Sequence, residues 1–536
     1  MKKLLLSAIS AVTFMGMSAA VPVLTQQNTG SLTVTQETPG YSNPSTYDAS
    51  GNLIITGAFN GTFDNADAIG TSAYIVKYNA AGQKAWSVPV VGAATIKAVD
   101  TNADGNIYVA GTYADYVDFY STDGSQKSIG GMADEANEQY AKKNSSFLAK
   151  YDKDGKIQVV KPIVPAPLPE LTVTGMYYPM DGDVHFFIEN LKVNDGKVYV
   201  SSTCTGEVIL DDVTVKCSYL DLYGWGIYQE IPTLSILSFD SNFENCQSVA
   251  SIVADGPLTE DYAPTAHSLT FAIDGSSVYA SFVCVGEGKY NYTIGSANGE
   301  IAVPSESEKY VVLSENGKLE LQKGSVDKNV DNIASMIVSG SNLYIVGTAF
   351  ATLPAEAADE NAVAVKGSSD IFVATVGASD LKLKSLKAYS HDEGTSAVTS
   401  GDTTEDKPNY EQAVSAVSVD GSLYINAITG STYIGGSGVV FGPESVWFDG
   451  SDFSAATAAT GAAVGDGVFA TVNSDASKMD FTTYTFQKSG ITDIEAEYDE
   501  NAPVEYYNLQ GIRVANPENG LYIRRQGNKV EKILVK

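Results

Sequence analysis

Thr101–Tyr113 reads TNADGNIYVAGTY, a polar turn that runs straight into alternating residues. The Gly with its Asn and Asp neighbours suits a hairpin turn that needs positive φ, and the Ile, Val and Tyr that follow suit a half-buried strand. Variants of the unit occur six times: DASGNLIITGAF from Asp48, NADGNIYVAGTY from Asn102, VNDGKVYVSSTC from Val193, AIDGSSVYASFV from Ala272, IVSGSNLYIVGT from Ile337 and SVDGSLYINAIT from Ser418. The basic unit is therefore a hairpin.

A second pair of strands follows each copy after a spacer of variable length. These pairs are SAYIVKYNAAGQKAW from Ser72, SSFLAKYDKDGKIQV from Ser145, LSILSFDSNFENCQS from Leu234, KYVVLSENGKLELQK from Lys309, DIFVATVGASDLKLK from Asp370 and GVFATVNSDASKMDF from Gly467. Helical periodicity is absent, so the chain reads as all-β, with each repeat a four-stranded antiparallel sheet. Such sheets must bury two apolar faces, and setting them radially in a closed ring does so while limiting exposed edges. The expected fold is a β-propeller over residues 21–489. Six four-stranded blades are expected, with an irregular seventh as the alternative because the third unit is long and follows the Pro-rich VPAPLPEL from Val164. The strand SLTVTQ from Ser31 is placed to close the ring beside the last blade.

GNIYVAGTY followed by SSFLAKYDKDGKI resembles the bacterial β-propeller repeats labelled SBBP, in which a Gly-Asn turn and a K-Y-D-x-x-G hairpin recur. The first two repeats match well and the last four are degenerate. The resemblance implies a scaffold and assigns no function.

The ends of the chain carry an address. Lys2 and Lys3 precede an apolar run from Leu4 to Met17 that finishes on Ser18, Ala19 and Ala20, the pattern of a signal peptide over residues 1–20. The run is shorter than the roughly 20 residues a bilayer core requires, so no transmembrane segment is expected after signal removal. From Gly490 to Lys536, the pieces YNLQG, GLYI and KILVK are similar to the C-terminal sorting domain of type IX secretion cargo, although the tail is shorter than usual and lacks upstream strands. That resemblance implies a small β-sandwich-like domain over 490–536, recognition by outer-membrane secretion machinery, and a destination at the cell surface or outside it. If the tail is not a functional sorting signal, the destination is the periplasm.

The net charge is −31, and it becomes −33 once Lys2 and Lys3 are removed. Such a surface disfavours nucleic acid and anionic membranes as partners. The four cysteines are too few for a disulfide scaffold. Cys204 and Cys217 flank a segment that can turn at Asp211 and Asp212, so they form the one plausible pair, whereas Cys204 and Cys284 occupy equivalent positions on successive repeats. No pairing is assigned to Cys246.

Strand parity puts the short Gly turns on one rim and the long insertions on the other: Ala114 to Asn144, Gly206 to Thr233, Gly286 to Glu308, Ala349 to Ser368 and Gly430 to Asp466. Binding residues concentrate on long loops held by a rigid scaffold. Within them Tyr219, Tyr223, Trp225 and Tyr228 lie close to Asp221 and Glu230, with Tyr290, Tyr292 and Trp447 beside Phe448 in further insertions. Aromatic faces beside carboxylates suit a glycan or a protein ligand, against the plainer role of fixing their own loops to the propeller.

Asp100, Asn102 and Asp104 with Gly105 match the first half of a calcium loop, but the twelfth position is Gly111 where a bidentate Glu is needed. Plain hairpin chemistry is the competing role for these residues, and no other cofactor is expected. The three histidines, His185, His267 and His391, accompany no nucleophile or metalloprotease signature, although the first two sit near the innermost strands of adjacent repeats. A noncatalytic binding propeller is the reading that requires least. The alternatives are a polysaccharide hydrolase or lyase with its site at the channel mouth, and a structural or adhesive component of the cell surface.

Overall fold

In a computed structural model of the chain, the described residues are 23–33, 44–130, 145–169, 184–222, 227–255, 264–304, 308–323, 332–349, 369–389, 395–400, 403–408, 412–419, 422–428, 438–441, 454–457, 461–465, 468–474, 478–487, 503–508, 513–526 and 529–535. Every element named among them is a β-strand. Contacts divide the chain into one unit over Leu24–Phe486 and a second that contains Gln487–Lys536.

The large unit is a succession of antiparallel meanders. Ser45–Tyr47, Leu53–Phe59, Ser72–Tyr78 and the start of Lys84–Thr101 form the first sheet; the rest of Lys84–Thr101, Ile107–Tyr120, Ser145–Tyr151 and Ile157–Ile163 form the second. One strand thus serves two sheets, and it turns at Gly92. There φ is +136°, the register shifts, and a Cβ would lie 2.2 Å from the Tyr116 carbonyl oxygen. Only glycine fits that crossing. The third sheet runs Phe186–Asn194, Lys197–Cys204, Thr233–Asp240 and Gln247–Ala254. The fourth runs Thr265–Asp274, Ser277–Val285, Glu308–Ser314 and Gly317–Lys323, and the fifth Asn332–Ser339, Asn342–Ala349, Asp370–Gly377 and Leu383–Tyr389.

Alternation along these strands sends apolar side chains to both faces, and the cores lie between successive sheets. Ile75, Val90 and Ile54 of the first sheet meet Val109, Phe147 and Tyr151 of the second. Tyr108, Ala110 and Leu148 of the second meet Phe186, Ile188 and Phe239 of the third. The third packs Ile236 and Ile252 against Phe282 and Val311 of the fourth, whose other face packs on Ile345 and Phe372 of the fifth.

The first strands follow one another around an axis. Ser45–Tyr47 touches Lys84–Thr101, which touches Phe186–Asn194; contacts continue to Thr265–Asp274, Asn332–Ser339, Gln412–Val419 and Gly461–Gly465, and the last returns to Ser45–Tyr47. A succession that comes back to its start is a ring, so the large unit is a β-propeller. Closure also occurs at the outer edge. Val23–Thr33 lies beside Lys478–Gln487 in a sheet ordered Val23–Thr33, Lys478–Gln487, Val468–Ser474, Gly461–Gly465. Ser31–Thr33 therefore ends a longer closing strand than the SLTVTQ segment suggested.

This arrangement corrects the sixth repeat. Its two halves do not share a sheet: Gln412–Val419 pairs with Ser422–Ile428, while Val468–Ser474 and Lys478–Gln487 belong with the closing strand. The second unit shows one antiparallel sheet ordered Arg513–Val514, Val504–Tyr507, Gly520–Gln526, Lys529–Val535. A single layer, not a sandwich, is what the described residues form there.

Five short turns share one device. Asp48, Asn79, Asn102, Asp152 and Asp240 each accept, on one side-chain oxygen, hydrogen bonds from the N–H groups two and four residues later. The residue three positions on is left-handed in each: Gly51, Gly82, Gly105, Gly155 and Phe243, with φ from +63° to +81°. The side chain mimics a backbone turn and satisfies donors that a tight hairpin leaves over.

Candidate functional site

The described parts of the insertions beyond the second strands include β-hairpins. Tyr116–Tyr120 pairs with Gln126–Gly130 and, through Val117–Phe119 opposite Val90–Gly92, extends the first sheet. After Cys204 come two hairpins, Glu207–Leu210 with Val213–Lys216 and Ser218–Leu222 with Ile227–Ile231. After Val285 comes Gly288–Ile294 with Ala297–Val303, whose first strand joins Gln247–Ala254 and widens the third sheet.

These hairpins fill the gaps between sheets. Val208, Leu210 and Val215 enter the core between the second and third sheets, and Leu220 and Ile231 enter the core between the third and fourth. Tyr290 and Tyr292 are 0 % and 8 % exposed, packed with Ile294 and Ile301 in that same core. They are corrected here from ligand contacts to structural anchors: burial leaves no ring face for a partner, and it drives the Tyr290 hydroxyl pKa upward.

Tyr219 and Tyr228 behave differently. Both are half-buried, their rings meet edge to face with centroids 5.4 Å apart, and they cover buried Leu168 and Cys217. Beside Tyr219 opens a cleft of about 430 Å³ between the hairpins and the third sheet, lined by Thr214, Lys216, Ser218, Ser235, Ser248 and Ser251 among others. Its walls are tied in place, since Thr233 Oγ1 donates to the Lys216 carbonyl at 2.8 Å and the Ser218 hydroxyl donates to the Ala254 carbonyl. Hydroxyls, one ammonium and a tyrosine ring make a surface suited to a polar ligand. Tyr223, Trp225 and Trp447 lie outside the described residues.

The calcium-like residues are occupied otherwise. Asp100 Oδ2 accepts from the Val193 N–H at 2.8 Å, joining the second sheet to the third, while its Oδ1 accepts from Thr101 N–H at 2.9 Å. Asn102 holds its own turn, and Asp104 is an exposed turn residue 3.5 Å from the Asn102 amide. These contacts supply the hairpin role and give no support to a shared ion. Among the described residues no three His, Cys, Asp or Glu side chains cluster as a metal site. All four cysteines are free and buried, and the Cys217 sulfur accepts from the Gly206 N–H at 3.1 Å in place of a disulfide. Burial pushes the Cys246 thiol up to about 11 and the other three further in the same direction, so none is a ready nucleophile.

The innermost strands contain a feature that sequence reasoning missed. Register shifts occur at matching places, between Ile96 and Ala98, Ile188 and Asn190, His267 and Thr270, Ile333 and Ser335, and Ala413 and Ser415. A bulge leaves one residue out of the ladder and re-aims its side chain. Lys97 and Glu189 are the residues so displaced on the second and third sheets, and both are exposed. Although solvent reaches its surface, the protein atoms crowded around the Glu189 carboxyl desolvate it and raise its pKa, and a hydrogen bond from Thr203 Oγ1 at 3.1 Å and the Lys97 charge oppose the rise. His185 stacks on Phe187 with centroids 4.4 Å apart, and its Nδ1 is 2.9 Å from Thr205 Oγ1. His267 Nδ1 is 2.8 Å from the hydroxyl of Ser268, a left-handed residue at φ +56°. Each imidazole is thus engaged on its own sheet, and His391 lies outside the described residues.

No family model matches the chain, and no curated protein matches it. Among solved structures it is similar to a member of the DUF4221 family from Bacteroides vulgatus, at 10 % identity and TM-score 0.32, covering 88 % of this chain and 100 % of that one. It is also similar to the polysaccharide lyase Uly1, at 9 % identity and TM-score 0.30, covering 83 % and 90 %. A third likeness is to the endosialidase of phage phi92, at 10 % identity and TM-score 0.25, covering 92 % and 75 %. The strand pairing and the closed succession of first strands within this chain make the large unit a propeller.

Proposed function

We propose that the chain is an exported, noncatalytic β-propeller, with seven sheets about its axis, that binds a polar ligand at the rim carrying the insertions. The seventh sheet is the one completed by Val23–Thr33, and the sixth is built from Gln412–Val419 and Ser422–Ile428 beside the hairpin Gly438–Phe441 with Ser454–Thr457. The observation that carries the binding reading is the hydroxyl-lined cleft of about 430 Å³ beside Tyr219. Of the two ligand classes, glycan or protein, this lining favours a glycan, because serine and threonine hydroxyls exchange hydrogen bonds with sugar hydroxyls while a tyrosine ring packs on a sugar face. Export rests on the signal-like N-terminus and on a C-terminal tail similar to a type IX sorting domain, which together assign the protein to the cell surface or the medium.

A glycan array probed with the exported protein, alongside Tyr219→Ala and Tyr228→Ala, tests this. Binding to at least one glycan, weakened about tenfold by either substitution, is the expected result. Binding of no glycan, or binding indifferent to both substitutions, would remove the cleft from consideration.

A further inference from the structure

The lumen end of the third sheet assembles groups that the cleft does not use. Phe187 and Glu189 lie on Phe186–Asn194, one position either side of Ile188, and the bulge at Ile188 to Asn190 brings Glu189 out of the ladder. Thr203, opposite Phe187 in the register, donates to Glu189 Oε1 and fixes the carboxyl on the same side as the ring. His185 completes an aromatic pair, parallel to Phe187 within 13°, and both rings are half-buried, so the pair keeps an accessible portion. From the neighbouring sheet, the equivalent bulge presents Lys97, whose charge acts on Glu189. The level is fixed by two links between sheets: Asn190 Nδ2 donates to the Leu269 carbonyl at 3.4 Å, and Asp100 accepts from Val193.

A core has no use for an exposed lysine and an exposed glutamate at equivalent bulges of adjoining innermost strands, beside a half-buried stacked ring pair. A sugar ring fits such a place well. Its apolar face packs on an aromatic ring, and its flanking hydroxyls donate to a carboxylate and accept from an ammonium. We propose that this lumen-side group of Phe187, His185, Glu189 and Lys97 is a saccharide-binding site, distinct from the cleft beside Tyr219. The Phe187–His185 pair supplies the stacking face, Glu189 accepts from one hydroxyl and Lys97 donates to its neighbour. The site extends the glycan-binding reading to a second place, yet it does not require the cleft to be occupied.

The experiment is titration calorimetry of the full chain with a glycan that scores on an array of neutral and acidic oligosaccharides. It uses Phe187→Leu, Glu189→Gln and Lys97→Met, with Tyr219→Ala as the cleft control. Phe187→Leu keeps an apolar side chain of similar burial, and thermal melting confirms that each variant is folded. Two binding steps are expected: each lumen variant weakens one of them about tenfold and leaves intact the other, which is the step that Tyr219→Ala weakens. Loss in Tyr219→Ala with all three lumen variants at full affinity would overturn this site and leave the cleft standing. Absence of any glycan bound by the array would overturn both.

Discussion

Asp48 shows how one residue can serve a turn and a core together. Its carboxylate accepts from the Ser50 and Asn52 backbones and pairs with Lys77 Nζ at 2.8 Å, with both side chains almost wholly enclosed. Burial alone would raise its pKa, yet the hydrogen bonds from Lys77 and Asn52, with the lysine charge, hold it below the usual value. A group depressed on folding stabilises the fold above its unfolded pKa and loses that contribution as pH falls through the folded one. The Asp48 contribution is therefore present at neutral pH and should fade only below the ordinary carboxylate range. Asp48→Ala, which leaves Lys77 enclosed without its carboxylate, is expected to cost about 3–5 kcal/mol in urea unfolding at pH 7. The gap from wild type should narrow in strong acid. Asn102→Ala removes an acceptor from two N–H groups and should cost about 1 kcal/mol, whereas Asp104→Ala should leave stability almost unaltered. Millimolar calcium should not move the melting temperature of the wild type; a rise that is lost in Asp104→Ala would show that the turn is a metal loop after all. The Asn and Asp of these turns were legible in the sequence as turn formers. That Asp100 would be claimed by Val193 was not, because that contact joins residues 93 positions apart in the chain.

At the scale of elements, the strands were the readable part. Period-two alternation and the turn glycines located both hairpins of most repeats, since each depends on residues close in sequence. Three things escaped: the strand Lys84–Thr101 shared by two sheets, the division of the last repeat, and the bulges of the innermost strands. A bulge is one extra residue in a ladder, so it leaves the local alternation almost untouched. Length and aromatic content mark the insertions as a binding surface. Tyr290 and Tyr292 instead hold a hairpin between sheets, which only the packing reveals. Deleting Gly288–Val303 with a short turn in its place should lower the melting temperature by several degrees, because Tyr290 and Ile301 each bury a large apolar surface. Gly92→Ala should be harsher than Gly196→Ala. The first places a Cβ against the Tyr116 carbonyl, while the second has open space and meets only the left-handed backbone cost of about 1–2 kcal/mol. Denaturant midpoints compare the pair directly, and equal losses would mean that the crossing at Gly92 is not so tight.

Across the whole molecule, the acidic surface and the two terminal segments bear on where the protein acts, and the ring bears on how. Under the proposed export, protein recovered from the cell surface or the medium should lack Met1–Ala20 by intact mass. Among the described residues no helix is long and apolar enough to cross a membrane. The sites proposed here depend on successive sheets standing side by side about one axis, because only that geometry sets Lys97 next to Glu189 and the hairpins in the gaps between sheets. The axis in turn depends on closure, where Val23–Thr33 completes the sheet that begins with Gly461–Gly465. Native-state hydrogen exchange on the exported protein tests this most directly. Amides of Val23–Thr33 that pair with Lys478–Gln487 are expected to exchange orders of magnitude more slowly than a free tail, and to lose protection together with that strand as denaturant is added. Exchange of Val23–Thr33 at the rate of an unstructured peptide, with the remaining sheets still protected, would mean that the ring is open.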